Sequence, residues 1–251
     1  MLRLTKIERT LTGIPGLDEM LGGGFTRGRV ILVLGEPGAG KTIMCSQFLL
    51  NGIQKFGEKG LFVSLEENKQ HYSDEMGTFG WDIAGVEKSG ELTFIDASPI
   101  RSLSDEVQVG GMSIGKSDFS LVSLLEVIKN RALSTGVKRI VVDPISHLIF
   151  QFSDGPQRRK ALLDLVEALA KTGATCLLAS ELREVGGTTR RLQLEEYLVH
   201  GVIILQSKSS GRSLERIIQV EKMRGSPIDR SPKPYRITED GIEVYPKESV
   251  I

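Results

Sequence analysis

The strongest constraint on this chain is an eight-residue run, Gly35-Glu36-Pro37-Gly38-Ala39-Gly40-Lys41-Thr42. It fits G-x-x-x-x-G-K-[ST] at every fixed position, and its setting is as informative as its residues. An apolar, β-branched run, Val30–Leu34, precedes it. Behind it, Cys45, Phe48, Leu49 and Ile53 fall at i, i+3, i+4 and i+8, one face of a helix. The segment therefore predicts strand, tight loop, helix. Glycines let the loop backbone wrap so that its N–H groups converge, and the helix N-terminus adds positive potential at the same point. Such a cradle takes phosphate. Lys41 is placed to bridge β- and γ-phosphates and the Thr42 hydroxyl to ligate Mg²⁺, with Glu36, Pro37, Gly38, Ala39, Gly40 and Ile43 as further contacts of a bound ATP.

Around this unit, short apolar runs alternate with amphipathic stretches, which predicts an α/β fold on a mainly parallel sheet. The expected strands are Val30–Leu34, Leu61–Leu65, Leu92–Ile95, Arg139–Val142 and Thr175–Ala179. Two more helical faces are carried by Leu121, Leu124, Leu125 and Ile128 and by Leu162, Leu165, Val166 and Leu169. After residue 200 the pattern changes. Gly201–Leu205, Ser213–Glu221 and Ile242–Tyr245 read as strands joined by short polar turns, so the sheet is expected to end antiparallel. Residues 97–118, rich in Ser, Gly and Asp, read as a surface excursion. No linker or repeat divides the 251 residues, and one domain is expected.

Two further segments fit the phosphate loop. Arg139-Ile140-Val141-Val142-Asp143 is an apolar strand ending in a carboxylate, the pattern of a residue that holds Mg²⁺ through water. Strands ending in Asp also start turns, so the loop gives Asp143 its weight. Glu66-Glu67 places two carboxylates at the end of another strand, on the sheet edge where open α/β folds bind ligands. Hydrolysis needs a group to orient or deprotonate water there. An acidic pair favoured by a helix N-terminus is the alternative.

The chain resembles the RecA superfamily, and within it the KaiC-like branch, from Thr12 to about Tyr245. The resemblance rests on Thr12-Gly13-Ile14-Pro15-Gly16-Leu17-Asp18, Gly22-Gly23-Gly24, Glu66-Glu67, Ser180-Glu181 and Lys222-Met223-Arg224-Gly225. It implies Glu66 as the water-activating base with Glu67 assisting, and Ser180 and Glu181 as a γ-phosphate sensor. It also implies a ring, usually a hexamer, in which Lys222 and Arg224 reach a neighbour's nucleotide. The chain departs from the clock members of the branch in three ways. They carry two such domains in tandem, and one is seen here. Where their autokinase domain has a Ser/Thr pair, this chain has Glu196-Tyr197, so autophosphorylation is not expected. His200 stands where relatives often carry an acidic residue, and reads as a turn or edge histidine.

Charge decides which partners are expected. Lys plus Arg and Asp plus Glu both number 32, so no global field advertises nucleic acid. By the resemblance, two segments would face a ring channel: Ser153–Lys160 with Arg158-Arg159-Lys160, and Arg183–Arg191 with Arg190-Arg191. These could meet single-stranded DNA weakly and without sequence preference, since no aromatics are interleaved for stacking. No N-terminal extension precedes the resemblance, and strand exchange is not expected. His71 and His147 have no metal-ligand partner at useful spacing. Two cysteines in apolar segments, no signal peptide and no membrane-length apolar run point to a cytoplasmic protein without a membrane partner. The reading is a slow, Mg²⁺-dependent, ring-forming ATPase, regulatory or accessory to a recombinase, with an unidentified protein partner. The rivals are a non-hydrolysing ATP-binding scaffold and a DNA-stimulated motor.

Overall fold

The computed structural model describes residues 7–98, 106–109, 112–152, 154–183, 192–210 and 213–250. A short ribbon comes first, β1 (Arg9–Thr10) paired antiparallel with β2 (Phe25–Thr26), with α1 (Leu17–Met20) between them. Next, β3 (Val30–Gly35) enters the glycine loop and α2 (Lys41–Phe56) leaves it. The chain continues through β4 (Gly60–Ser64), α3 (Lys69–Gly77), α4 (Ile83–Lys88) and β5 (Leu92–Asp96). A hairpin of β6 (Glu106–Val109) and β7 (Met112–Gly115) leads into α5 (Lys116–Thr135) and β8 (Arg139–Asp143). Then come α6 (Ser146–Ile149), α7 (Gly155–Lys171), β9 (Thr175–Glu181) and α8 (Leu194–Leu198). Four strands finish the fold: β10 (Gly201–Ser210), β11 (Ser213–Met223), β12 (Lys233–Thr238) and β13 (Gly241–Val244).

Nine strands form one sheet in the order β13-β12-β11-β10-β3-β9-β8-β4-β5. From β10 to β5 every neighbour is parallel; from β10 to β13 every neighbour is antiparallel. The central parallel strands β3, β4, β8 and β9 are buried on both faces, which is why they read as nearly unbroken apolar runs. Period-2 alternation sorts them. Ile31, Val33, Phe62, Val141 and Leu177 face the layer of α2, with Met44, Cys45, Phe48 and Leu49. Val30, Leu32, Leu34, Ile140, Val142 and Leu178 face α5 and α7, with Leu124, Ile128, Leu162, Leu165 and Leu169. Each such side chain contributes roughly 1.5–3 kcal/mol on burial, so the sheet is clamped from both sides. The consequence for function is positional. The C-terminal ends of β3, β4 and β8 open on one edge, and the glycine loop, Glu66-Glu67 and Asp143 all lie there.

The structure corrects the sequence reading in four places. The stretch 97–118 is not only an excursion, since it holds the β6–β7 hairpin and the start of α5. The last strand runs Gly241–Val244, one residue earlier than expected, and Leu65 lies just past β4. β12 was not expected at all. Its sequence, Lys-Pro-Tyr-Arg-Ile-Thr, mixes charges with a proline, and Pro234 is tolerated because β12 pairs with β11 through only Ile217↔Pro234 and Ile218↔Lys233. Among the described residues, no helix is long and apolar enough to cross a membrane.

Candidate nucleotide site

Gly40 ends the loop at φ 87°, left-handed backbone that glycine adopts without penalty, and caps α2 with no side-chain partner. The first N–H groups of α2 are therefore left for a ligand. The Lys41 ammonium folds over the loop and donates to the carbonyls of Gly35 at 3.0 Å and Glu36 at 3.1 Å. Thr42, one position on, donates its hydroxyl to Asp143 Oδ2 at 2.6 Å. This bond crosses the layer from α2 to the end of β8 and brings the two expected metal residues together. Burial pushes the Asp143 carboxyl up to about 6, against the Thr42 hydrogen bond and the Lys41 charge, which favour its anion. Ile43, Gly38 and Gly40 line a groove beside the loop. Glu36 is turned elsewhere, its carboxylate accepting from the Ser207 N–H at 3.1 Å, and Pro37 is exposed.

Glu66 and Glu67 line a cleft with Thr42, Asp143, Ser64, Phe62, Tyr72 and Pro144. Ser64 fixes the turn that carries them: its hydroxyl donates to Glu67 O at 2.6 Å and accepts from Glu67 N at 3.1 Å. Leu65 N donates to Asp143 O at 2.9 Å, tying this turn to β8. Glu66 is exposed and Glu67 half-buried. The Glu67 carboxyl is pushed up, first by burial and then by the like charges of Glu75, Asp143 and Glu66; His71 opposes them. Tyr72, fully buried at the base of the cleft, shares a 2.9 Å hydrogen bond with Ser46 on α2.

Sequence reasoning missed the far wall of the groove. Glu75, Met76, Thr78 and Phe79, at the end of α3 and just beyond it, face Lys41, Thr42 and Ile43. The signal that places them is Asn68, an N-cap residue whose side chain accepts from His71 N at 3.0 Å and starts α3.

The remaining expected residues are distributed differently. Glu181 lies on the α2 face of β9, exposed at the site edge. Ser180 alternates to the other face, where its hydroxyl is fully buried and has no hydrogen-bond partner among the described residues. The strand's period of two thus sets Ser180 and Glu181, expected as one γ-phosphate sensing element, on opposite faces of β9. Lys222 and Arg224 lie at the opposite edge of the sheet. Met223 pairs with Gly201, and Gly201 with Ile31 at the start of β3. Lys222 Nζ donates to the carbonyls of Glu196 and Val199, each at 2.8 Å, and Arg224 to Tyr197 O at 3.3 Å. Both cations thus cap the C-terminal end of α8. Burial and the Arg224 charge lower the Lys222 ammonium. His200 sits beside them in the turn before β10. Its Nδ1 accepts from Val30 N at 3.3 Å, and burial with Arg29 and Arg224 lowers it. Of the cations expected to face a channel, Arg158 is half-buried and donates to Phe152 O at 3.0 Å, whereas Arg159 and Lys160 are exposed. Arg190 and Arg191 lie outside the described residues.

The family model described as "ATPase: KaiC" matches residues 10–249. This chain belongs to the KaiC family of ATPases. A clock protein, KaiC3 of Synechocystis, is 34% identical over 245 residues, covering 97% of this chain and 47% of that protein. The chain thus spans about half the length of the clock relatives it matches. A UPF0273 protein of Thermotoga maritima is 33% identical over 246 residues and is covered over 98% of its length. A solved KaiC-like protein from Pyrococcus horikoshii superposes with a TM-score of 0.80 at 31% identity, covering 96% of this chain and 100% of that one. The RecA-like fold and the KaiC-like resemblance read from the sequence are both borne out. Membership in the KaiC family implies nucleotide binding, and the glycine loop is where this chain is built for it.

Proposed function

We propose that this chain is a Mg²⁺-dependent ATPase of a single RecA-like domain that hydrolyses ATP slowly at sites shared between copies in a cytoplasmic ring, and that its purpose is regulatory. The observation that carries this reading is the 2.6 Å bond from Thr42 to Asp143, in a cleft also lined by Glu66 and Glu67. The donors are oxygens, which fits Mg²⁺. Among the described residues no three His, Cys, Asp or Glu side chains converge as a cage. That suits an ion held by Thr42 and by Asp143 through water, with phosphates as further ligands. Bound there, Mg²⁺ would neutralise charge on the β- and γ-phosphates.

The chain's own residues supply the rest. Lys41 exchanges its loop carbonyls for phosphate oxygens. Glu66 orients and deprotonates water, with Glu67 assisting; the raised Glu67 carboxyl is the specific reason to test the two separately. Met76 and Phe79 offer apolar surface to the base of the nucleotide, across the groove from Ile43. Lys222 and Arg224 stand one strand length, about 20 Å, from their own phosphate loop. A role in catalysis therefore assigns them to a neighbouring copy's nucleotide, where such a cation contributes on the order of 10³-fold.

Steady-state phosphate release tests the proposal. Glu66→Gln should keep ATP binding and lose turnover by about 100-fold or more. Arg224→Ala should do the same. Once subunit exchange has been established with labelled protein, mixing the two variants should restore activity, because some interfaces then pair an intact Glu66 with an intact Arg224. No recovery after exchange rejects sharing. A larger loss in Glu67→Gln than in Glu66→Gln reassigns the base, and a wild-type protein with no phosphate release favours the scaffold.

A further inference from the structure

Besides carrying Lys222 and Arg224, the C-terminal antiparallel strands hold the chain's own phosphate loop from behind. Tyr235 on β12 is 2% exposed, and its hydroxyl donates to the carbonyl of Ala39 at 2.6 Å, across 196 positions of sequence. Ala39 is itself buried and lies inside the loop. Ile237, two residues along the same strand, packs against Gly40, and a Cβ built there would stand 2.9 Å from Ile237 Cδ1. Gln47 on α2 exchanges two hydrogen bonds with the backbone of Ile242 on β13, at 2.8 and 3.1 Å. Together with the bond from Ser207 N to Glu36, three of the last four strands, β10, β12 and β13, grip the loop at its start, its end and the helix that follows.

A trans peptide unit points its C=O and N–H in opposite directions. The carbonyl of Ala39 and the N–H of Gly40 belong to one such unit. Anchoring the carbonyl outward on Tyr235 aims the Gly40 N–H the other way, into the hollow of the loop. Without the hydroxyl, the buried carbonyl has no partner, and rotation of the unit toward water removes a donor from the cradle and puts an oxygen in its place. Burial raises the Tyr235 hydroxyl well above the usual phenol range, so it remains a donor throughout the pH range of any assay.

We infer that Tyr235 is a positioning residue for the phosphate cradle, fixing the Ala39–Gly40 peptide so that the Gly40 N–H is presented to the β-phosphate of a bound nucleotide. The inference rests on the proposed binding of ATP at Gly35–Thr42, and adds to it a residue from the far end of the chain. It also gives the antiparallel extension a task distinct from that of Lys222 and Arg224.

The test uses the full chain as wild type, Tyr235→Phe, Lys41→Ala and Tyr245→Phe. Tyr245 is the control, because among the described residues its hydroxyl bonds only to Glu243, at 2.8 Å, and not to the loop. Equilibrium binding of ADP and ATP is measured well below the melting temperature of each variant. Tyr235→Phe keeps the ring and should weaken both nucleotides by the same factor, about two- to tenfold, since both carry the β-phosphate. Tyr245→Phe should bind as wild type. A merely structural role would lower the melting temperature of Tyr235→Phe and leave its affinities unchanged, and that result overturns the inference. A second measurement needs no variant. On adding ADP to ¹⁵N-labelled wild type, the Gly40 amide resonance should move among the furthest of all, and an unmoved Gly40 overturns the inference equally. If wild type and Lys41→Ala bind ATP alike, the nucleotide reading itself has failed and this inference falls with it. Tight wild-type binding with an unaffected Tyr235→Phe rejects the positioning role alone.

Discussion

At the start of β8, Arg139 is 1% exposed, and its guanidinium donates to Glu58 at 2.8 Å, to Phe48 O at 2.8 Å and to Leu11 O at 2.9 Å. The rings of Phe48 and Phe56 lie over it, and Gly52 leaves it room, since a Cβ there would come within 2.4 Å. Four residues on, Asp143 is 6% exposed and has one side-chain hydrogen bond among the described residues, from Thr42. One end of the strand buries a charge and satisfies it. The other end buries a charge of opposite sign and leaves most of its lone pairs open, so its pKa climbs. Desolvation is the leading effect at both. The difference lies in compensation, and an uncompensated anion at a ligand-binding edge is what a cation site looks like before the cation arrives.

That contrast can be broken experimentally. The largest effect on stability is expected from Arg139→Ala, which leaves Glu58 its more exposed pairing with Arg27, takes a donor from the carbonyls of Phe48 and Leu11, and should cost about 3 kcal/mol in denaturant unfolding. A loss below about 1 kcal/mol would mean the clamp is ornamental. Asp143→Ala should do the reverse. The nucleotide-free fold should be as stable at pH 7 as wild type or more so, because an unfavourable buried charge is gone, while ATP hydrolysis falls about 10²- to 10³-fold. Equal damage to fold and activity would erase the distinction between the two ends.

The finest probe is pH. With its pKa raised from 3.8 to about 6, the native Asp143 carboxyl binds more protons than the unfolded one between those values. From this group, metal-free stability should therefore be greatest below about pH 4, fall by up to about 3 kcal/mol by pH 6 and stay level above. Asp143→Asn should flatten that decline. Denaturant titrations at pH 4, 5, 6 and 7 measure it, and an identical slope in the variant would assign the decline to other groups.

The parallel half of the molecule was legible because its signals are local. Val30–Leu34, the glycine loop and the face of Cys45, Phe48, Leu49 and Ile53 lie within one β-loop-α unit, and β4, β5, β8 and β9 are apolar runs with sharp ends. Asp143, Glu66 and Glu67 followed because a strand end in such a sheet is a position at the ligand edge. The opposite faces of Ser180 and Glu181 were also readable from alternation along β9. What stayed hidden depends on distance in sequence. Nothing near Tyr235 announces Ala39, and nothing near Arg139 announces Leu11 or Phe48. β12 disguises itself behind Pro234 and the charges of Lys233 and Arg236, and the groove wall from Glu75 to Phe79 depends on where a short, polar helix happens to lie.

The ladder of β10 and β11 has a geometric consequence for any assembly. One end, at Ser207, holds this chain's own phosphate loop; the other, at Met223 and Gly201, carries Lys222 and Arg224 to the far edge of the sheet. If the site is shared as proposed, its donor and acceptor surfaces sit back to back on a single protomer. Two copies related by a dyad would have to present the same patch to each other. A protomer offering its cations to one neighbour must instead receive its own from another, so the contact is heterologous and has a direction. Repetition of such a contact closes into a cycle if the rotation per step divides a full turn, and otherwise advances as a screw. In the proposed assembly, handedness and count would follow from the tilt between one sheet and the next, set where the surface flanking Tyr197 and Arg224 meets the neighbour's nucleotide edge.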